Sequence, residues 1–374
     1  MRPSLAAVLG YLDHAATTPL RPEAVDAMLP WIGERFGNPS GAHRVAQAAR
    51  MAIDEARDVV ADCLGCEPRE VVFTGGGTEG DNLAVFGATQ GGLAVCSATE
   101  HHAVLHAVER VKGQTVPVHA DGRIDLDALE RALSPEVSLV SVMLVNNEVG
   151  TIQPLPEIVD LVHGRATVHT DAVQAVTWLD VASLARTADL VSVTGHKIGG
   201  PQGTGAIVVR DGVKLEPLLV GGGQEQERRS GTHNVAGIVG FAAALRACTD
   251  SRDETVERVG KLRDRLADGL LASIPGCTES GSRDTKVAGI CSVLIEGIES
   301  ESLLFLLDEA GICATAASSC ASGALEPSHV LAAMGVPREL AKGSLRLSLG
   351  WPSTDADVDL ALDVIPRAVA QLRA

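Results

Sequence analysis

Three glycines separate an apolar run from a helix-forming one in Phe73-Thr74-Gly75-Gly76-Gly77-Thr78-Glu79. Glycine lets backbone N–H groups close on an anion, and a helix N-terminus adds positive partial charge. The segment reads as a phosphate cradle or, with equal claim, as a ligand-free turn from strand to helix. It has neither the Lys-Ser/Thr ending of a Walker A loop nor the G-x-G-x-x-G spacing. Ser192-Val193-Thr194-Gly195-His196-Lys197 puts an amine at the carboxyl end of an expected strand, where ligands gather in α/β sheets. Desolvation would let that amine form a Schiff base, with Thr194 and His196 donating to an anion nearby. An ordinary surface lysine is the alternative. In His169-Thr170-Asp171-Ala172-Val173-Gln174 a hydrophobic strand delivers a carboxylate, which needs a positive partner if buried. A pyridinium nitrogen is one such partner, and a helix N-cap is the plainer role.

Three further positions carry chemistry. His101, after Glu100, can stack on a flat ring, act as an acid–base group, or simply cap a helix. Arg346, between Leu345 and Leu347, is a bidentate carboxylate clamp or a solvent-facing edge arginine. Cys320 lies in Ala317-Ser318-Ser319-Cys320-Ala321-Ser322-Gly323, where small neighbours leave its sulfur uncovered, a candidate nucleophile. The pair Cys63 and Cys66 has no second C-x-x-C, so it reads as structural rather than as a zinc ribbon.

The elements that must position these groups alternate. Short β-branched runs are expected as strands at Val71–Thr74, Ala94–Ser97, Val116–His119, Leu139–Val145, Thr167–Thr170, Leu190–Thr194 and Ala206–Val209. Helices are expected at Thr78–Gly87, Ala103–Lys112, Leu126–Leu133 and Pro156–His163. The alternation predicts an α/β fold with a mostly parallel seven-stranded sheet between helices. One or two helices should fill Thr232 to Leu271. The texture then changes, with strands at Cys291–Ile295 and Ser344–Ser348 and helices at Glu301–Ala310 and Asp355–Leu372. We expect a large domain over 14–255 and a smaller α+β domain formed by 1–13 and 256–374, which would carry the Cys320 loop.

Composition narrows the function classes. The 374 residues are 45% hydrophobic and 21% charged, enough for a sizeable core and unlike a disordered chain. Net charge is -17 and aromatics are 2%, which argues against direct binding of nucleic acid by charge or by base stacking. No apolar run reaches bilayer length and the first ten residues do not resemble a signal peptide, so the expectation is a cytoplasmic protein without a membrane partner. Eight cysteines spread thinly over the chain are expected to be mostly reduced thiols.

Together, the glycine cradle, the strand-end Asp, the later His-Lys and the C-terminal Arg follow the order of fold-type I pyridoxal-phosphate enzymes. The chain resembles the cysteine desulfurases of the NifS/IscS type, in the class V aminotransferase family, over essentially its whole length. The blocks that carry the likeness include Tyr11-Leu12-Asp13-His14-Ala15-Ala16-Thr17-Thr18-Pro19, Phe36-Gly37-Asn38-Pro39-Ser40 and Val145-Asn146-Asn147-Glu148-Val149-Gly150. Others are Gly221-Gly222-Gly223-Gln224-Glu225, Arg229-Ser230-Gly231-Thr232 and Leu325-Glu326-Pro327-Ser328-His329-Val330.

The resemblance implies pyridoxal 5'-phosphate as cofactor and L-cysteine as substrate, converted to alanine. Lys197 would hold the cofactor covalently and shuttle protons, Asp171 would pair with the pyridine nitrogen, Gln174 would bond the phenolic oxygen, and His101 would stack on the ring. Gly77, Thr78, Thr194 and His196 would bind the phosphate, with Thr232 reaching in from the neighbouring subunit of a homodimer. Asn147 and Arg346 would orient substrate, and Cys320 would carry the sulfur away as a persulfide. An acceptor protein would follow, such as an iron–sulfur scaffold or a tRNA-thiolation enzyme. The chain departs from relatives at Thr194, where Ser is common, and at Val173, expected to face away from the chemistry. It departs too in the Cys320 loop and at Glu225-Gln226-Glu227. A selenocysteine lyase or another cofactor-dependent lyase or aminotransferase of this fold is the alternative enzyme. A sulfur-relay docking partner is the non-enzymatic one.

Overall fold

The computed structural model describes residues 10–316 and 328–374 of the chain. Cys320 and its neighbours in 317–327, with residues 1–9, lie outside the described residues. The architecture is α/β, built on a seven-stranded sheet. Its strands run in the order Val71–Thr74, Gly205–Val209, Leu190–Thr194, Thr167–Asp171, Val137–Ser141, Leu93–Ser97, Gln114–Val116. Val71–Thr74, Leu190–Thr194 and Gly205–Val209 are buried at every position, as strands covered on both faces must be. All pairings are parallel except those of Gly205–Val209, which is antiparallel to both its neighbours. Residues 195–204 hold one 3₁₀ turn, Gly195–Lys197, too little chain for a crossover helix, so the strand must return beside the one it follows.

Several expected bounds hold as written, including Val71–Thr74, Leu190–Thr194, Ser344–Ser348 and the terminal helix Asp355–Leu372. Two strands shift. Val116–His119 was expected where the strand is Gln114–Val116, because Pro117 has no N–H to continue the ladder. Val137–Ser141 begins and ends before the expected Leu139–Val145. Past Ser141 the chain still leans on the sheet, Val142 and Leu144 donating to the His169 and Asp171 carbonyls. The stretch after Thr232 forms two helices, Val235–Asp250 and Arg252–Ser273, so the expected boundary at 255 falls in the first turn of the second. Two helices the sequence did not reveal, Pro22–Ile32 and Arg44–Leu64, pack against Val235–Asp250.

The C-terminal part builds a three-stranded antiparallel sheet from Ser344–Ser348, Ile290–Ile295 and Cys277–Glu279. The opening strand Gly10–Tyr11 pairs in parallel with Ile312–Cys313, and Asp13 bridges Ser348. The start of the described chain is thereby laid against its last third. Buried apolar side chains run without a break from Val193 of the large sheet to Val293 and Leu345 of the small one. The cleft between the sheets is where the polar strand ends meet.

Candidate active site

Most of the candidate groups sit just past a strand of the large sheet, while Arg346 lies within a strand of the small one. At the end of Val71–Thr74, Gly76 has φ 142°, a conformation that disfavours any side chain, and it caps the helix Gly77–Thr89. A Cβ on Gly77 would lie 2.8 Å from Val173 Cγ2, so the helix start can approach the next strand end only as glycine. The Glu79 carboxylate accepts from Gly75 N–H at 2.8 Å and pairs with Arg229 at 2.8 Å. Gly77 and Thr78, in the first turn of that helix, line the cleft.

Asp171 ends its strand buried, one oxygen accepting from Val173 N–H at 2.8 Å. It therefore does cap a turn, the plainer of its two expected roles. Burial pushes its carboxyl up to about 6, against the pull of that N–H and of the Lys197 ammonium. Asp81, one turn into the helix from Gly77, is buried with Oδ1 unpartnered, and burial beside Asp171 raises it well above the carboxylate range. Two carboxyl groups facing one cleft call for a cation there. Behind them His169 is clamped by Ser141 and Ser192 hydroxyls at 2.8 and 2.9 Å, and burial drives it down to about 3.

Lys197 follows the strand Leu190–Thr194, its Nζ donating to the Ala15 and Ala16 carbonyls at 2.5 and 2.6 Å. Gln174 Nε2 donates to the same Ala15 carbonyl at 2.7 Å, which ties the opening block of the sequence to the two strand ends. His196 is held down to about 4 by burial and by Lys197. Thr194 donates to the Thr204 carbonyl at 3.1 Å and lies beneath Gly76, behind the cleft wall. His101 N-caps the helix His102–Arg110, its Nδ1 accepting from Ala103 N–H at 3.1 Å, which leaves Nε2 to bear the proton of the neutral ring. Burial, then Lys197 and the neighbouring histidines, pushes it down to about 4, so the ring is uncharged near neutral pH.

Arg346 is only 4% exposed, so the solvent-facing alternative fails. Thr315 bridges it from one side and Asp13 bridges Ser348 next to it, covering what would have been an open sheet edge. Its Nη1 donates to the Asn147 carbonyl at 2.9 Å and its Nη2 to Asp13 Oδ1 at 2.8 Å.

These groups enclose one cavity of about 470 Å³, within the usual size of a small-ligand site. Gly77, Thr78, His101, Asn147 and Asp171 line it, as do Gln174, His196, Lys197 and Arg346. Thr194 does not reach its surface, and Thr232 is exposed elsewhere on this chain. Val173, expected to face away, is part of the lining, because the close approach of Gly77 turns its side chain into the cleft. Sequence reasoning also missed Asp13, Asp81, Met143 and Thr315. Asp81 carries a signal in hindsight, being four positions after Gly77 and so on the same helix face. A larger open groove of about 1010 Å³ lies at the opposite ends of the strands, around Gly92, Glu136 and Arg165, far from Lys197.

The donor set suits a flat ring bearing a cation and an anionic tail. The buried Asp171 carboxylate awaits the cation, the glycine cradle and Thr78 offer donors to the anion, and the Lys197 amine lines the same cavity. The chain is 45% identical to a cysteine desulfurase IscS of Methanosarcina thermophila, the match covering 97% of this chain and 92% of the relative. Equal identity is found with an IscS-like cysteine desulfurase of Mycobacterium tuberculosis, over 98% and 97%. A solved structure titled NifS-like protein superposes with a TM-score of 0.91 at 33% identity, covering 97% of this chain and 100% of that one. Matched over residues 10–361 by the family described as aminotransferase class-V, the chain belongs to that family.

Proposed function

We propose that this protein is a pyridoxal 5'-phosphate-dependent L-cysteine desulfurase that converts cysteine to alanine and leaves the sulfur on Cys320. The observation that carries the reading is one cavity in which Lys197, buried Asp171 and buried Arg346 converge, in a chain with relatives named for that activity at 45% identity. Asp171 holds the charged ring nitrogen, Gln174 the phenolic oxygen, and neutral His101 covers the ring face. Gly77, Thr78 and His196, which line the cavity, bind the phosphate, and Thr194 supports Gly76 from behind. When bound, the cofactor withdraws electrons from the substrate α-carbon and so weakens the bond from β-carbon to sulfur.

The protein supplies the rest. Arg346 and Asn147 orient the substrate, and the Lys197 amine moves the α-proton. The Cys320 thiolate attacks the substrate sulfur. A sulfur–sulfur bond forms as the carbon–sulfur bond breaks, its electron pair staying with the carbon that becomes the alanine methyl. Cys320 is left as a persulfide for an acceptor such as an iron–sulfur scaffold or a tRNA-thiolation enzyme.

A homodimer fits this reading. Leu29, Ile32, Phe36 and Val220 are 64%, 67%, 77% and 81% exposed, apolar side chains that a second copy would cover. Thr232 is exposed in the loop that follows Val220, free to complete the phosphate site of a second copy in such a dimer. We further propose the division into 14–255 and 1–13 with 256–374, supported by the pairing of Gly10–Tyr11 with Ile312–Cys313. A cytoplasmic setting accords with the seven unpaired cysteines among the described residues.

The test is to incubate purified protein with cysteine and measure alanine and protein-bound sulfur. Cys320→Ser should keep its cofactor yet release almost no alanine and carry no persulfide, because a serine hydroxyl is hardly ionised where a thiol of pKa about 8.5 partly is. Cys63→Ser and Cys313→Ser should retain most activity. Near wild-type turnover by Cys320→Ser would assign the sulfur to another residue.

A further inference from the structure

The arginine expected to receive the substrate carboxylate already faces a carboxylate. Arg346 Nη2 donates to Asp13 Oδ1 at 2.8 Å and Nη1 to the Asn147 carbonyl, while Nε is buried with no partner. Nε and Nη2 form the edge of the guanidinium that takes a carboxylate by two parallel hydrogen bonds. One half of that edge is open, and the other is shared with Asp13. Both side chains line the cavity, Arg346 being 5% and Asp13 21% exposed. Asp13 is fixed there by its backbone, which bridges Ser348 and whose carbonyl accepts from the Tyr11 hydroxyl at 3.2 Å.

We propose that Asp13 sets substrate specificity, making the site select an α-ammonium carboxylate over a carboxylate that lacks the amine. The inference rests on the reading of Arg346 as the carboxylate clamp. Asp13 neutralises the guanidinium in the resting site, so a second carboxylate arriving at the Nε–Nη2 edge meets a negative charge at close range. A zwitterionic amino acid brings an ammonium that offsets this repulsion, and a bare carboxylate brings nothing. The pair thus rejects the many small organic acids that a lone arginine in a cavity of this size would admit.

Propionate and L-alanine are the probes, differing only in the amine, and their binding to the cofactor-loaded protein is measured by calorimetry. Removing one unit charge near the guanidinium should tighten propionate about tenfold. Asp13→Asn should do so while changing L-alanine much less, and the alanine-to-propionate affinity ratio should fall by about the same factor. Asp13→Ser, a smaller side chain for the case where the amide disturbs folding, should shift the ratio in the same direction, with cofactor stoichiometry checked in both variants. Unchanged ratios in both variants, with propionate binding lost in Arg346→Gln, overturn the role of Asp13 and leave the clamp standing. Propionate binding that survives Arg346→Gln overturns the clamp, and the inference with it.

Discussion

Lys197 and Asp171 are the two side chains on which the proposed chemistry turns, and each is controlled by what lies behind it. The Ala15 and Ala16 carbonyls hold the Lys197 ammonium at the cleft, while burial leaves Asp171 short of a full counter-charge. Lys197→Ala should therefore lose the yellow colour of covalently held cofactor, and borohydride should fix no label at its peptide. A borohydride-fixed label on a different peptide would mean another lysine holds the ring. Asp171 in the unliganded site is protonated below about pH 6 and cannot then pair with a ring cation. Cofactor affinity should weaken as pH falls through that value, and Asp171→Asn should lower it at least tenfold at pH 7.5, read by equilibrium titration of the unloaded protein. Equal affinities for the two proteins would remove Asp171 from the site.

The loop over residues 219–233 is held by two carboxylates, Glu79 through Arg229 and, more extensively, its own Glu225. Glu225 accepts from Arg57 at 2.7 and 2.8 Å, from Phe73 N–H at 2.9 Å, and pairs with His233 at 2.7 Å. Glu225, Gln226 and Glu227 all have left-handed backbones, with φ of 50°, 57° and 67° and no glycine among them. Such residues persist only where surrounding contacts overdetermine them. Glu227→Gly should relieve strain and stabilise the protein by up to about 1 kcal/mol, seen as a raised melting temperature. A lowered one would mean that its side chain matters more than its backbone. Burial alone would raise Glu225, but Arg57, His233 and the Phe73 N–H outweigh it and hold the carboxyl at about 2. Its folded value is thus below its ordinary value of 4.5, so its stabilisation is full above pH 4.5 and is lost as pH falls toward 2. Glu225→Gln should flatten that part of the acid-unfolding curve; an unchanged slope would show that other groups govern it.

At the scale of the molecule, most of the exposed apolar side chains belong to two separate stretches, with Val45, Met51 and Phe305 outside both. Pro22–Ile32 with Phe36 forms one, and Leu218 to Val220 the other. If both are covered by a second copy, Phe36→Glu and Val220→Glu should each raise the dimer dissociation constant at least a hundredfold, since a charge buried at an interface has no partner there. Sedimentation velocity reads this directly. Cofactor affinity should fall together with dimerisation if Thr232 completes the neighbour's phosphate site. Two variants that stay dimeric would place the interface elsewhere.

The succession of strands along the chain and the identity of Lys197, Asp171, His101 and Arg346 as candidates were legible in the sequence, whereas the order of those strands in the sheet was not. Buried parallel strands are continuous apolar runs, and a charged residue closing such a run stands out. The two helices Pro22–Ile32 and Arg44–Leu64 were not legible, for opposite reasons. The first buries only Ala24 and turns Leu29 and Ile32 outward, while the second buries a face made largely of alanine, which contrasts little with its surroundings. Asp13 could not be singled out because the arginine it holds is 333 positions away. That contact exists because Asp13 and Thr315 both join the strand of Arg346, a pairing set by how the chain folds back on itself. Local patterning therefore fixed which groups end the strands. Tertiary packing alone decided which become buried, which lose their counter-charge, and which carboxylate stands opposite the clamp, since burial and long-range pairing depend on residues distant in the chain.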